Sequence, residues 1–254
     1  MAKAIGSNIR QAVFSSGFLF GLIGIAAVIL LTSADPITGA LRATELLPNG
    51  FHAELVFKAL ASDNMSLALP ILCTLPFTAS FVDDMKSGYI KEYLPRITVR
   101  RYIFGKIIGC ALSGGLVIAL GILGSYISAA LVLSPSEAAQ ANGGGAAGNL
   151  PALLESLLLF FFSGAFWSVT GMTFAALTGS KHMAYASPFV LFYILIILYE
   201  RYFDHLYVLY PREWLHPSEV WMFGNFGVIL LLTELTIIAA LGFASCARKR
   251  IGEL

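Results

Sequence analysis

The stretch 83–106, DDMKSGYIKEYLPRITVRRYIFGK, places nine charged side chains between two long apolar segments. The whole chain is 57% hydrophobic and only 12% charged, with a mean hydropathy of +0.79. Soluble domains are roughly a quarter charged, so this composition reads as a polytopic integral membrane protein and the charged stretch as a junction outside the bilayer. Working outward from it, apolar runs suited to crossing a hydrocarbon core about 30 Å thick lie at 107–133, 152–178, 183–199 and 226–247 in one direction. In the other direction they lie at 12–32 and 65–82. The expected fold is therefore all-α: one domain over 1–254, six transmembrane helices, and a cytoplasmic amphipathic helix between the second and third. Pro70 and Pro76 interrupt the second span and Pro188 the fifth. Membrane helices tolerate such kinks where neighbouring helices satisfy the freed carbonyls.

Orientation follows from the basic residues. With the N-terminus inside, twelve of them fall on the inner side: Lys3, Arg10, Lys86, Lys91, Arg96, Arg100, Arg101, Lys106, Lys181, Arg248, Lys249 and Arg250. Only Arg42, Lys58, Arg201 and Arg212 fall outside, so the positive-inside rule selects cytoplasmic termini. Asp35, Glu45, Glu54, Asp63, Glu137, Glu200, Asp204, Glu213 and Glu219 all fall in the outer loops, in agreement. The net charge of +1 conceals this polarity and gives no reason to expect a nucleic-acid partner.

The run beginning near Ala12 is long enough to span, and neither Ala27 nor Ser33–Ala34 makes a convincing cleavage site, so it reads as a span rather than a leader. Cys73, Cys110 and Cys246 are odd in number and sit in apolar segments, as small packing residues would. The outer loop 134–150 is Gly/Ala-rich and reads as a flexible tether. From Phe51, the residues Phe51, Leu55, Ala59 and Leu60 face one way while His52, Glu54, Lys58 and Ser62 face the other. That pattern suggests a short helix on the outer surface or on its neighbours. Gly17 and Gly21, Gly105 and Gly109, and Gly164 with Gly171 offer close helix approaches, within the chain or at a dimer seam.

Between the fifth and sixth spans, Tyr199, Tyr202, Phe203, Tyr207, Tyr210, Trp214 and Trp221 suit either an aromatic belt at headgroup level or short helices dipping into the outer leaflet. Asp204, His205, His216 and Glu219 match no ligand spacing, so no metal is expected. Glu234 falls near the middle of the sixth span, where a carboxyl is expected neutral or paired, tying helices together or lining a polar path. Glu155 lies near the outer end of the fourth span and is more easily solvated.

Within 83–106, Asp83 or Asp84 is placed to cap a helix, and Met85, Tyr89, Tyr93 and Leu94 recur near every fourth position while Lys86, Lys91 and Glu92 face elsewhere. Pro95 stops this helix, and Gly88 breaks its pattern. Arg96, Arg100 and Arg101 precede re-entry into the membrane at Lys106, where long basic side chains reach back to headgroups.

At these positions the chain resembles the membrane-spanning subunit of ABC-2 type transporters. The features shared are the acid Asp84, the glycine Gly88, the run from Tyr89 to Leu94, then Arg100, the pair Tyr102–Ile103 and Lys106 opening the third span. Aspartate stands where glutamate is commoner, and Pro95–Arg96 is a local variation. The resemblance implies six spans with both termini inside, in a bacterial plasma membrane, and a second permease copy or paralogue alongside. It implies that 83–95 is a coupling helix seated on a separate ATP-binding subunit, with Asp84, Gly88, Tyr89, Lys91, Tyr93, Arg96, Arg100 and Lys106 serving that coupling. ATP and Mg would be bound by that subunit and none in this chain. The sequence agrees independently: nothing matches G-x-x-x-x-G-K-[ST], so no catalytic residue is assigned. The implied function is export through a pathway shared with the second permease. Two other classes stay open. A non-transporting assembly or sensory subunit would use the same basic helix as a partner contact. An intramembrane enzyme would need a companion for Glu234 at membrane depth.

Overall fold

The computed structural model describes residues 2–42, 46–93, 97–137, 150–203, 205–218, 221 and 223–253. Glu45, Leu94, Pro95, Arg96, Asp204, Glu219 and most of the Gly/Ala-rich loop, 138–149, fall outside them. The protein is all-α, with eleven α-helices and no strand among the described residues. They are α1 (Ala2–Val13), α2 (Ser16–Thr32), α3 (Ala34–Arg42), α4 (Phe51–Leu60), α5 (Asp63–Leu72), α6 (Ser80–Lys86) and α7 (Tyr89–Tyr93). The long helices follow: α8 (Val99–Leu133), α9 (Leu150–Thr178), α10 (Lys181–Tyr202) and α11 (Gly224–Gly252).

The last four are each long and apolar enough to cross a membrane. The count rises to six if two bent pairs, α1 with α2 and α4 with α5, are each one span. The chain is a multi-pass membrane protein. Both bends have a capping serine at the break. Ser15 Oγ accepts from Phe18 N at 3.1 Å and starts α2 after a turn of 54°. Ser62 Oγ accepts from Met65 N at 3.3 Å and starts α5 after a turn of 67°. Each serine satisfies an N–H that a continuous helix would have bonded to its own backbone. The first expected span, 12–32, is thus broken near its start.

The second, 65–82, is corrected more heavily. Helix α5 ends at Leu72, 73–79 form turns, and α6 begins at Ser80. Pro76 lies in that break, while Pro70 sits inside α5. Of the two placements expected for α4 it takes the one on its neighbours, packing on α8, but with His52 turned inward: His52, Leu55, Val56, Ala59 and Leu60 are all buried.

Helix α9 is central. Of the residues in its most apolar window 56% are buried, against 17% for α11, and it packs on α8, α10 and α11. Its approach to α8 is set by glycine. A Cβ on Gly164 would stand 2.7 Å from Gly114 O, and one on Gly114 would stand 2.9 Å from Gly164 O. Backbone therefore meets backbone at this crossing, as small residues permit. Gly17 faces the 73–79 turns, at Leu75 and Pro76, and Gly21 faces α5 and α8: a Cβ on Gly21 would lie 2.8 Å from Val117 Cγ2 and 3.1 Å from Leu72 O. The glycines of the first span serve internal packing, not an outward seam. Trp214 likewise leaves the expected aromatic belt. It is buried against Phe166 and Trp167, with its indole N–H donating to Val208 O at 2.9 Å.

Candidate functional site

Helix α8 is 35 residues long, roughly 52 Å at 1.5 Å per residue, so it exceeds a hydrocarbon core of about 30 Å and projects beyond it. Its first turns carry Arg100, Arg101, Tyr102 and Lys106. Tyr102 and Lys106 are four residues apart and share a face. Ser80 and Asp84 share a face of α6 by the same spacing. These faces meet. Lys106 Nζ lies 2.8 Å from Asp84 Oδ2, and Tyr102 Oη donates to the same oxygen at 2.6 Å. The ammonium also donates to Ser80 O at 3.5 Å and lies 4.6 Å from the centre of the Phe77 ring. Lys106 is only 2% exposed and Asp84 13%, so this is a buried ion pair with most of its donors satisfied.

The residues around Asp84 make the junction general. Phe81 packs edge-on to Phe243 of α11 at 5.2 Å. Val82 is buried with Ala175 of α9 and Ala184 of α10. Asp83 pairs with Lys181 at the start of α10. Four consecutive residues of one short helix thus address all four long helices. Neither aspartate is an N-cap, since α6 begins three residues earlier than the sequence suggests.

Beyond α6 the backbone turns at Gly88, whose φ of +75° is a left-handed conformation that other residues adopt at a cost of roughly 1–2 kcal/mol. The single amphipathic helix expected over 83–95 is therefore two short ones, α6 and α7, angled at this glycine. On α7, Ile90 is buried, Tyr89 is 46% exposed and Lys91 is exposed. The side chain of Tyr93 lies outside the described residues, as do Pro95 and Arg96. Gln11, Asp83, Asp84, Lys86, Ser87, Tyr89 and Lys181 line an open cleft of about 540 Å³ on this face.

Of the coupling residues expected from sequence, the structure brings Asp84 and Lys106 into direct contact and makes them internal. Gly88, Tyr89 and Lys91 lie on the neighbouring surface. Arg100 points elsewhere, into a groove against α11. Glu234 is exposed on α11 and makes no hydrogen bond or ion pair among the described residues, so it ties together no two of the described helices. Glu155, by contrast, accepts from Asn225 Nδ2 of α11 at 3.0 Å. Tyr102 entered the sequence reading only as part of the shared motif, without a coupling role, and Lys181 and Phe81 were not site residues in it. The four-residue spacing from Tyr102 to Lys106 is the signal that would have found the first.

A second polar cluster closes the opposite end of α8. Glu137 accepts from His52 N at 2.8 Å and Gly50 N at 3.0 Å, and its Oε1 lies 2.8 Å from His52 Nδ1. The two side chains are 6% and 5% exposed. Burial alone would raise the Glu137 pKa, but the two N–H donors and the imidazole outweigh it and hold the carboxyl below its ordinary range. No group of three or more His, Cys, Asp or Glu side chains among the described residues is arranged to hold a metal.

Comparison with protein-family models, with curated proteins and with solved structures finds no match for this chain.

Proposed function

We propose that this protein is the permease subunit of an ATP-driven exporter of the ABC-2 type. In this reading it pairs with a second permease copy or paralogue in a plasma membrane, with both termini cytoplasmic. A separate ATP-binding subunit, carrying ATP and Mg, docks against α6 and α7. The chain itself performs no catalysis. What supports the reading is the junction at α6: residues 81–84 touch α11, α9 with α10, α10, and α8 in turn. A push on so connected an element is shared among all the long helices at once. The adjoining surface offers what a docking partner needs, with exposed Tyr89 and Lys91 beside a polar cleft.

Co-expression with candidate ATP-binding subunits, followed by co-purification and ATPase assay in proteoliposomes, tests this. Tyr89→Ala should weaken the complex while the chain still inserts, and ATP turnover stimulated by substrate should fall. Undiminished stimulated turnover in that variant would count against docking at α7.

A further inference from the structure

Between α8 and α11 lies an apolar groove of about 490 Å³. Ile103, Phe104 and Ile107 form one wall, and Ile237, Leu241 and Ala244 the other. Its lining holds two charged groups, Arg100 from α8 and Arg248 from α11, and no acid. Both arginines are exposed, and neither forms an ion pair among the described residues. They lie at one end. On α11, the eleven steps from Arg248 to Ile237 rise roughly 16 Å, close to the half-thickness of a hydrocarbon core of about 30 Å. The groove therefore runs from a basic mouth at headgroup level to about the membrane midplane.

We infer that this groove is a binding site for one anionic phospholipid, its headgroup phosphate held between Arg100 and Arg248 and an acyl chain laid along the apolar walls. Guanidinium groups are suited to phosphate oxygens, which accept paired N–H donors. Basic pockets between membrane helices are a recognised means of selecting anionic lipids. A second copy of this chain fits the groove poorly. A two-fold seam along it would bring two Arg100 and two Arg248 side chains together with no carboxylate in the lining to balance them. The inference stands apart from the transport reading, since a membrane protein of any function can carry such a site.

The test uses the full chain purified in a neutral detergent and offered equal amounts of phosphatidylglycerol and phosphatidylcholine with identical acyl chains, bound lipid being read by native mass spectrometry. At about a fivefold gain per basic side chain near an anionic headgroup, the unaltered chain should prefer the anionic lipid about thirtyfold. Arg100→Gln or Arg248→Gln should each reduce the preference to about fivefold, and the double variant should abolish it. Ala244→Phe fills the groove while keeping both arginines and should release the lipid. Equal retention of the two lipids by the unaltered chain overturns the proposal, whatever becomes of the variants. So does undiminished preference in the double variant or in Ala244→Phe. Efficient inter-chain disulfide formation by Leu241→Cys in native membranes, with no lipid retained, would assign the groove to a second copy and also overturn it.

Discussion

Asp83 and Asp84 adjoin in the chain yet fasten α6 to different membrane helices: Asp84 holds Lys106 of α8 at 2.8 Å, and Asp83 pairs with Lys181 of α10. Adjacent residues on a helix point about 100° apart, so one short helix can reach in two directions. The two pairs differ in kind. Lys181 and Asp83 are half exposed, and the solvent weakens their attraction. Lys106 and Asp84 are buried, and each is the other's means of tolerating burial.

Breaking that buried pair from one side should therefore cost far more than removing it whole. Lys106→Met or Asp84→Leu alone is expected to destabilise by about 3–5 kcal/mol, because an uncompensated charge is left inside. The double variant should recover most of that loss. Thermal unfolding in detergent, arranged as a double-mutant cycle, reads the difference directly. Additive losses would show that the two side chains do not act as a pair. Asp84→Lys should be harsher than either single change, since it places a second cation beside Lys106.

At the other end of α8, the Glu137 carboxyl titrates below its ordinary range in the folded chain. The unfolded chain binds its proton more readily, so stability falls with acidification. The contribution is complete above the unfolded value of about 4.3 and is lost as pH drops through the lower folded value. Unfolding midpoints followed downward from neutral pH should decline more steeply for the unaltered chain than for Glu137→Gln. Parallel curves would remove Glu137 from the acid response.

Glu234 gives a contrast. Since Glu234 has no partner among the described residues, Glu234→Leu should leave the stability of the isolated protein nearly unchanged, within about 0.5 kcal/mol. Any effect belongs to what covers the outer face of α11. If that is a substrate path or a second permease, Glu234→Gln should assemble and hydrolyse ATP basally with its partner while transport fails. A large loss of stability in the isolated Leu variant would reveal an internal bond instead.

The side assignment is testable with single cysteines in a background lacking Cys73, Cys110 and Cys246. Ser136→Cys should react with an impermeant reagent from outside, and Lys86→Cys or Ser87→Cys only after the membrane is opened. All three positions are exposed. The opposite pattern would invert the topology.

Much of this was legible in the sequence because hydropathy over a long helix is a sum, and sums are robust. The runs that became α9, α10 and α11 were found within about five residues at each end, and that of α8 was exact at Leu133 but eight residues late at its start. What escaped was set by single groups. Ser15 starts a new helix inside the run 12–32 that hydropathy reads as one, and its neighbours Ser16–Gly17 were the visible hint. The charged segment was recognised, but the register of its helix was not. Reading Asp83 and Asp84 as caps ignored that Phe81 and Val82 already belong to a buried face. His52 looked like a surface residue because its partner Glu137 lies 85 positions away, beyond any local pattern. Glu234 falls within α11 as the hydropathy suggested, but a place in a helix does not say which way a side chain points.

The glycine crossing of α8 on α9 bears on how the chain is made. Gly114 and Gly164 belong to helices consecutive in sequence, so their contact can form as soon as α9 has left the translation machinery, before α10 and α11 have joined the bundle. Local pairings of this kind lose least chain entropy on closing. A chain truncated after Thr178 and released into the membrane should accordingly already hold α8 and α9 together, and cysteines flanking the crossing should cross-link in it. Gly164→Leu should abolish that early link and leave the later helices to arrive at a template that has not been built.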